Sequence, residues 1–456
     1  MTPTPPEIDV AELRSALDGE VLTPDDSGYD GARRVFLGGI DRRPAAIAQV
    51  ANSTDVAQVI GVARESGLEL AVRGGGHSVA GYGTSEGGIV LDLSRMRKLE
   101  IDADRRTAWA EAGLTTGEYT NAAAAHGMAT PFGDTASVGI AGLTIAGGMG
   151  FLARKHGLTI DNLLAAEVVT ADGRVVRADA DNEPELFWAI RGGGSNFGVV
   201  TRFQFKLVEV DEIVGGMLIL PATPEVITGF VAAAEAAPDE LSTIAGVMLA
   251  PPMPFVPAEH HGKPVVMAQL AHSGGGEHGD SAVAPLRELA EPLVDMIHPM
   301  PYPGLFEGEG PKPVFATFRN MYVDGIDVPA AEAILEGLRA ATAPMAVTQI
   351  RVLGGAVSRV PEDATAYAHR GRPIMAHVAA MYQEASDGHT HEAWAKDLAA
   401  NLANGDPAAY SGFVGDEGKA RVREAYPGAT FERLARIKAQ YDPDNVFRLN
   451  QNIPPA

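Results

Sequence analysis

The chain of 456 residues contains no cysteine. That excludes disulfides, thiolate metal sites and a cysteine nucleophile. Basic side chains are scarce as well: 36 Lys and Arg stand against 59 Asp and Glu, a formal net charge of −23. Nucleic acids and anionic membranes are held by basic patches, so neither is an expected partner. No apolar run approaches the roughly 20 residues that cross a bilayer. Met1 to Val10 is proline-rich and acidic, without the basic and apolar segments of a secretion signal. These absences lead to the expectation of a soluble, cytoplasmic protein. The length suits two to three domains, and the apolar content is enough for a large core.

Glycine, by contrast, is abundant at 52 residues and gathers into blocks. The first follows a short apolar stretch (Leu68, Leu70, Val72) that reads as a buried strand, and runs Arg73-Gly74-Gly75-Gly76-His77-Ser78, ending at Gly83. Consecutive glycines let backbone N–H groups converge on an anion, because no Cβ bars the approach or the positive φ that the turn needs. A histidine and a hydroxyl follow directly, adding a nucleophile to a loop shaped for phosphate. The second block, Gly133 to Gly150, has small residues at close spacing and almost no charge, the composition of backbone packed on a flat ligand. The third, Arg191 to Thr201, closes a short helix over Glu183–Ile190.

Between the blocks, Ser53 or Thr54 is expected to cap a helix whose apolar face is Val56, Val59, Ile60 and Ala63, ending at Gly67. Gly88–Leu93 reads as a second buried strand, and Leu99–Asp102 with Thr107–Ala110 as a hairpin. From residue 211 to about 405 the long glycine blocks stop. Helical stretches (Pro224–Ala237, Ser281–Leu293, Ala330–Ala341, His391–Leu402) alternate with strand-like runs (Thr243–Leu249, Pro264–His272, Phe315–Met321, Ile374–Met381). Ala250–Gly262 and His298–Pro313 are proline-rich loops. The pattern suits an antiparallel sheet covered by helices. A tail helix, Phe431–Tyr441, precedes an irregular polar end.

Five stretches in this order carry a family likeness: the first block, the second block, Arg154–Val176, Trp188–Thr201 and Tyr441–Pro455. The chain resembles the berberine-bridge-enzyme-like FAD-linked oxidases of the vanillyl-alcohol-oxidase superfamily. The resemblance implies an α+β, two-domain fold: a PCMH-type FAD-binding domain over 1–210, a substrate domain over 211–407, and a segment over 408–456 returning to the first. It implies FAD, joined through His77 to the flavin 8α-methyl. Arg73, Gly74, Gly75, Gly76, Ser78 and Gly83 would serve the pyrophosphate. Asp134, Thr135, Ser137, Val138, Gly139, Gly142 and Leu143 would line the ribityl chain and ring, with Gly198, Val199 and Val200 near the adenosine. Asn450 and Asn452 are candidates for the pyrimidine edge.

Departures from the family pattern narrow the chemistry. A second covalent link in many relatives comes from a cysteine where this chain has Thr135, so a single bond through His77 is expected. Val138 stands where a small residue admits dioxygen, which favours an oxidase releasing hydrogen peroxide. The tyrosine base of sugar-oxidising relatives is replaced by Phe413 in Tyr410-Ser411-Gly412-Phe413, and Met149 stands where some members have another tyrosine. Tyr410, Tyr382 and His377 are therefore the catalytic candidates, and an amine or secondary metabolite is the expected substrate. A sugar or alcohol, or a flavin protein without catalysis, are the alternatives. Gly274–Gly279 spells G-x-G-x-x-G, yet Glu277 and Asp280 would oppose a pyrophosphate, and no repeated βαβ pattern surrounds it. Glu259-His260-His261 and His389-Thr390-His391-Glu392 lack the spacing that places two metal ligands on one helix face, so no metal is expected.

Overall fold

A computed structural model describes residues 8–210, 212–306 and 314–456; the end of the proline-rich run His298–Pro313 lies outside them. Near the N-terminus, strand Ile89–Asp92 runs parallel between Ala46–Gln49 and Leu70–Arg73, with Glu20–Leu22 antiparallel at the edge. The helix Ser53–Ser66 joins two of these strands. Its cap is Asn52, whose side chain accepts from the Asp55 N–H, not Ser53 or Thr54 as expected from sequence. Either hydroxyl would cap a helix, but the chain turns one residue earlier. The Asp55 carboxylate is thereby freed to accept N–H groups of Asp18, Gly19 and Ala51 at 2.9–3.0 Å, tying the lead-in to the sheet.

A second, antiparallel sheet is ordered Leu99–Asp102, Thr107–Glu111, Val199–Lys206, Leu163–Val169, Val175–Asp179. The two sheets share one apolar core with helices Ser53–Ser66 and Pro184–Ile190, and with tail residues from Ala409 to Ile453. A separate core lies under the large antiparallel sheet that follows. That sheet runs Val294–Asp295, Ile213–Pro221, Pro264–His272, Leu241–Leu249, Met345–Val352, Ile374–Tyr382, Phe315–Val323. One face carries helices Pro224–Ala236, Gly276–Arg287, Val328–Ala340 and Gly388–Leu402, through Phe230, Leu286, Ile334 and Leu398. The opposite face meets the glycine-rich half. Gly279, last glycine of the G-x-G-x-x-G match, lies so close to Val214 that a Cβ would fall 2.5 Å from the valine side chain; it serves helix–strand packing.

The polar tail is held by a buried charge. Lys438 and Asp442 are both fully buried and paired at 2.6 Å. The Lys438 ammonium also donates to the carbonyls of Asn196 and Phe447, at 2.8 Å each. Asp442 accepts the N–H groups of Val446 and Phe447 at 2.7 and 2.9 Å. Every proton and lone pair engaged here folds the tail back onto the third glycine block, in which Asn196 lies. Deleting one partner of such a pair leaves an unpaired buried charge, a loss of about 3–5 kcal/mol. Lys438→Ala should therefore lower stability by about that amount in a urea melt, whereas a loss below about 1 kcal/mol would mean the pair acts like a surface one.

Candidate active site

The first and second glycine blocks meet backbone to backbone. A Cβ on Gly75 would fall 2.3 Å from the Gly139 nitrogen, and one on Gly139 would fall 2.3 Å from the Gly75 nitrogen. Neither position accepts any side chain. This contact sets His77 beside Ser137, whose Oγ lies 3.1 Å from the imidazole Nε2. The other side of the ring is stacked on Phe36 at 4.2 Å, nearly parallel. Beneath the loop, Arg73 pairs with Asp92 at 2.8 Å, both buried, and Gly83 packs on the arginine's methylenes. Ser78 accepts the Tyr82 N–H at 3.3 Å, closing the turn.

The remaining candidates around the second and third blocks divide by role. Thr135 and Val138 hold the block to Thr116 through their carbonyls. Gly142 is open, and Leu143 packs over Gly133 and Gly148. Gly198 sits tight against Val168 and Val169, while Val199 and Val200 pair with those residues in the sheet. Gly192 and Gly194 both donate to the Ile145 carbonyl, joining the third block to the second. Asn450 donates to the carbonyls of Ser195 and Phe447, at 2.9 and 3.0 Å.

These residues fit an FAD. Where the two loops touch they present main chain and not side chains. Arg73 Nη1, Asn450 Oδ1 and Asn452 Oδ1 are buried with no hydrogen-bond partner, one cationic donor near the glycine loop and two acceptors in the tail. Buried polar atoms left so in a native fold call for a ligand or ordered water.

The substrate-domain sheet supplies the other wall. Strand phase decides which side chains reach it. Ile374, Ala376 and Val378 belong to the helix-covered core, so His377 points the other way. There its ring meets Phe413 at 4.8 Å and Phe318 at 5.2 Å, both edge-on. Tyr382, five residues on, has the opposite phase: it packs on His391 and Gly388 of the covering helix. The structure thus removes Tyr382 from the site, because an odd step along a strand changes face. Tyr410 is buried against the second block, its hydroxyl accepting the Gly148 N–H at 3.0 Å and its own N–H donating to Asn320 Oδ1 at 2.7 Å.

Arg351, unremarked in the sequence, bridges the two walls. It pairs with Asp134 at 2.6 Å, donates to Gln349 Oε1 at 2.9 Å and lies over the Phe413 ring. The signal was Gln349 and Arg351 two apart in a mostly apolar stretch: polar groups sharing one face of a buried strand. Asp134 is thereby an ion-pair partner across the two halves. Burial, with the charge of Arg351 adding to it, pushes the His377 pKa down to about 3. Burial likewise raises Tyr410 to about 12. The wall thus presents a neutral imidazole and a protonated phenol, and Phe413 exchanges no proton.

Comparison with known proteins supports the same assignment. Residues 44–179 match the family model described as FAD binding domain, and residues 409–454 that described as berberine and berberine like. The (R)-6-hydroxynicotine oxidase of Paenarthrobacter nicotinovorans is 32% identical over 451 residues, covering 96% of this chain and 97% of that one. The chain belongs to the berberine-bridge-like FAD-linked oxidases. A crystal structure of the 6-hydroxy-D-nicotine oxidase from Arthrobacter nicotinovorans superposes with a TM-score of 0.87 at 30% identity, covering 96% of this chain and 98% of that one. Glucooligosaccharide oxidase of Sarocladium strictum is 35% identical over 210 residues, 44% of this chain and 40% of that one. As a member of this family the chain is an FAD-linked oxidoreductase. Among the described residues, no helix is long and apolar enough to cross a membrane.

Burial of these histidines predicts a fold that loses stability in acid. His377 is held at about 3 and His369, also by burial, at about 4, below the ordinary value of 6.5. Between those values the unfolded chain binds protons that the folded one refuses. Their contribution is whole above pH 6.5 and is lost as pH falls toward 3. The denaturation midpoint should drop over that window, and His377→Gln should flatten the slope. Equal slopes for the two proteins would show that His377 is not held neutral.

Proposed function

We propose that the chain is an oxidase that removes hydride from a C–H bond next to nitrogen or oxygen in a small molecule. Its FAD is held by a single covalent bond from His77, and dioxygen is the final acceptor, yielding hydrogen peroxide. Bound FAD supplies the ring that accepts the hydride. The observation carrying the covalent reading is the imidazole of His77, set by Ser137 and Phe36 at the edge of the Gly75–Gly139 cradle. A nucleophile whose plane is fixed before reaction needs little further ordering. With Thr135 in the place of the family's cysteine, no second bond is available.

The protons at the wall favour an amine or a secondary metabolite. Phe413 has none to exchange, Tyr410 keeps its own, and His377 takes one only at a cost. A neutral amine answers this, since its lone pair drives the hydride out and no protein base is required. The sugar reading, by contrast, needs an ionisable base next to the reacting hydroxyl. Asp134 is committed to Arg351, and Glu417 to Arg319 and Arg421.

Anaerobic stopped-flow mixing with panels of amines, phenols and sugars checks the assignment. Bleaching of the flavin band by an amine or phenolic metabolite is expected; bleaching by sugars alone would overturn the substrate reading. Val138→Leu should slow reoxidation by dioxygen at least tenfold, a barrier of about 1.4 kcal/mol, with the reductive step unchanged. Reoxidation at the wild-type rate would remove Val138 from the oxygen path.

A further inference from the structure

We propose that Asn320 and His377 form a donor–acceptor pair that grips an uncharged hydroxyl or cis-amide head group, so that the substrate is an apolar molecule bearing such a group. The proposal rests on the oxidase reading above and names the substrate class of that site. The two residues are directly opposite each other on neighbouring antiparallel strands. Such partners bring their Cβ atoms within about 4.5–5.5 Å on one face. That face is the one turned away from the covering helices.

Both side chains are more than nine-tenths buried, and each keeps one polar atom without a partner: Asn320 Nδ2 and His377 Nδ1. The amide nitrogen only donates, and a neutral imidazole offers an acceptor. One hydroxyl satisfies both, accepting from Asn320 and donating to His377. A cis-amide does the same through its oxygen and its N–H. A carboxylate has nothing to donate, and a quaternary ammonium neither donates nor accepts.

The surroundings exclude charge in the same way. The half-buried side chains on this face are uncharged: Met217, Met267, Phe318, Val347 and Met381 are apolar, and Gln269 is a neutral amide. Gln349, opposite His377 on the other flank, is neutral, and the cations close to the pair are each matched by carboxylates: Arg351 by Asp134, and Arg421, which donates to the Asn320 carbonyl, by Glu417 and Glu424. Thioethers adapt to an irregular apolar body, and the polar pair fixes which end enters.

The test measures binding to the purified holoprotein by calorimetry, with phenol, 2-pyridone, toluene, benzoate and benzyltrimethylammonium as probes. Phenol and 2-pyridone should bind at least tenfold more tightly than the other three. Asn320→Asp keeps the oxygen that holds the Tyr410 N–H but loses the donor, so the preference should fall at least tenfold while toluene binding is unchanged. His377→Gln, which retains a neutral acceptor, should keep part of the preference, and His377→Phe should abolish it. Equal binding of phenol and toluene by the wild type, or tightest binding of either ion, would overturn the proposal. So would an Asn320→Asp variant with the preference intact. A colourless protein that still prefers phenol would support the pair and refute the oxidase. A yellow protein that bleaches with amines but shows no preference would refute only the pair.

Discussion

The constraint on which the rest depends is the approach of two backbones. Gly75 and Gly139 lie closer than any pair of residues with side chains allows, and the neighbours of each inherit their positions from that contact. His77 follows two residues after one glycine, and Ser137 precedes the other by two. Their hydrogen bond is a consequence of the approach, as is the stacking of the imidazole on Phe36. A methyl group at either glycine would separate the loops by more than a hydrogen bond tolerates, so the cost would be paid in geometry before stability.

The second requirement is that the halves of the molecule stay in register, and buried polar contacts do this. Arg351 and Asp134 tie the large sheet to the second glycine block, Tyr410 ties the returning tail to Gly148, and Lys438 ties that tail to Asn196. None is expected to add much net stability over an apolar replacement of equal volume. What each adds is specificity of position: an unpaired charge in the interior is costly, so only the arrangement that pairs it persists. The neutral character of the cleft follows, because the charges near it are consumed in holding the walls together.

Much of the fold was legible because its signals are local. The Leu99–Asp102 and Thr107–Glu111 hairpin, the strands Pro264–His272 and Ile374–Tyr382, and the helices Pro224–Ala236 and Val328–Ala340 fall where periodicity and caps put them. Strands Ile213–Pro221 and Met345–Val352 escaped notice for a physical reason. The first carries Gly215 and Gly216 and ends in proline, which weaken a strand pattern; the second alternates Thr348, Gln349 and Arg351 with apolar residues and reads as a surface. Gln349 and Arg351 turn inward toward the other half of the molecule, and only tertiary structure makes that face an interior. The helix Lys419–Ala425 was missed in the same tail where the helix Gly428–Tyr441 was found.

In the site, the His77 loop stood out because three consecutive glycines precede the histidine and a second glycine block follows downstream. The opposite wall was not legible, because facing depends on strand phase. His377 and Tyr382 looked equivalent in a list of polar residues along one strand, yet an odd separation sends one to the cleft and the other to a helix. Arg351 and Asn320 were invisible for the opposite reason: each matters through a partner distant in sequence, Asp134 and Tyr410. The central claim, that the His77 imidazole is bonded to the flavin, is tested most directly by precipitating the purified protein with trichloroacetic acid. Yellow colour that stays with the pellet in the wild type and passes to the supernatant in His77→Ala is the predicted result. Full release of the flavin from the wild type would contradict it.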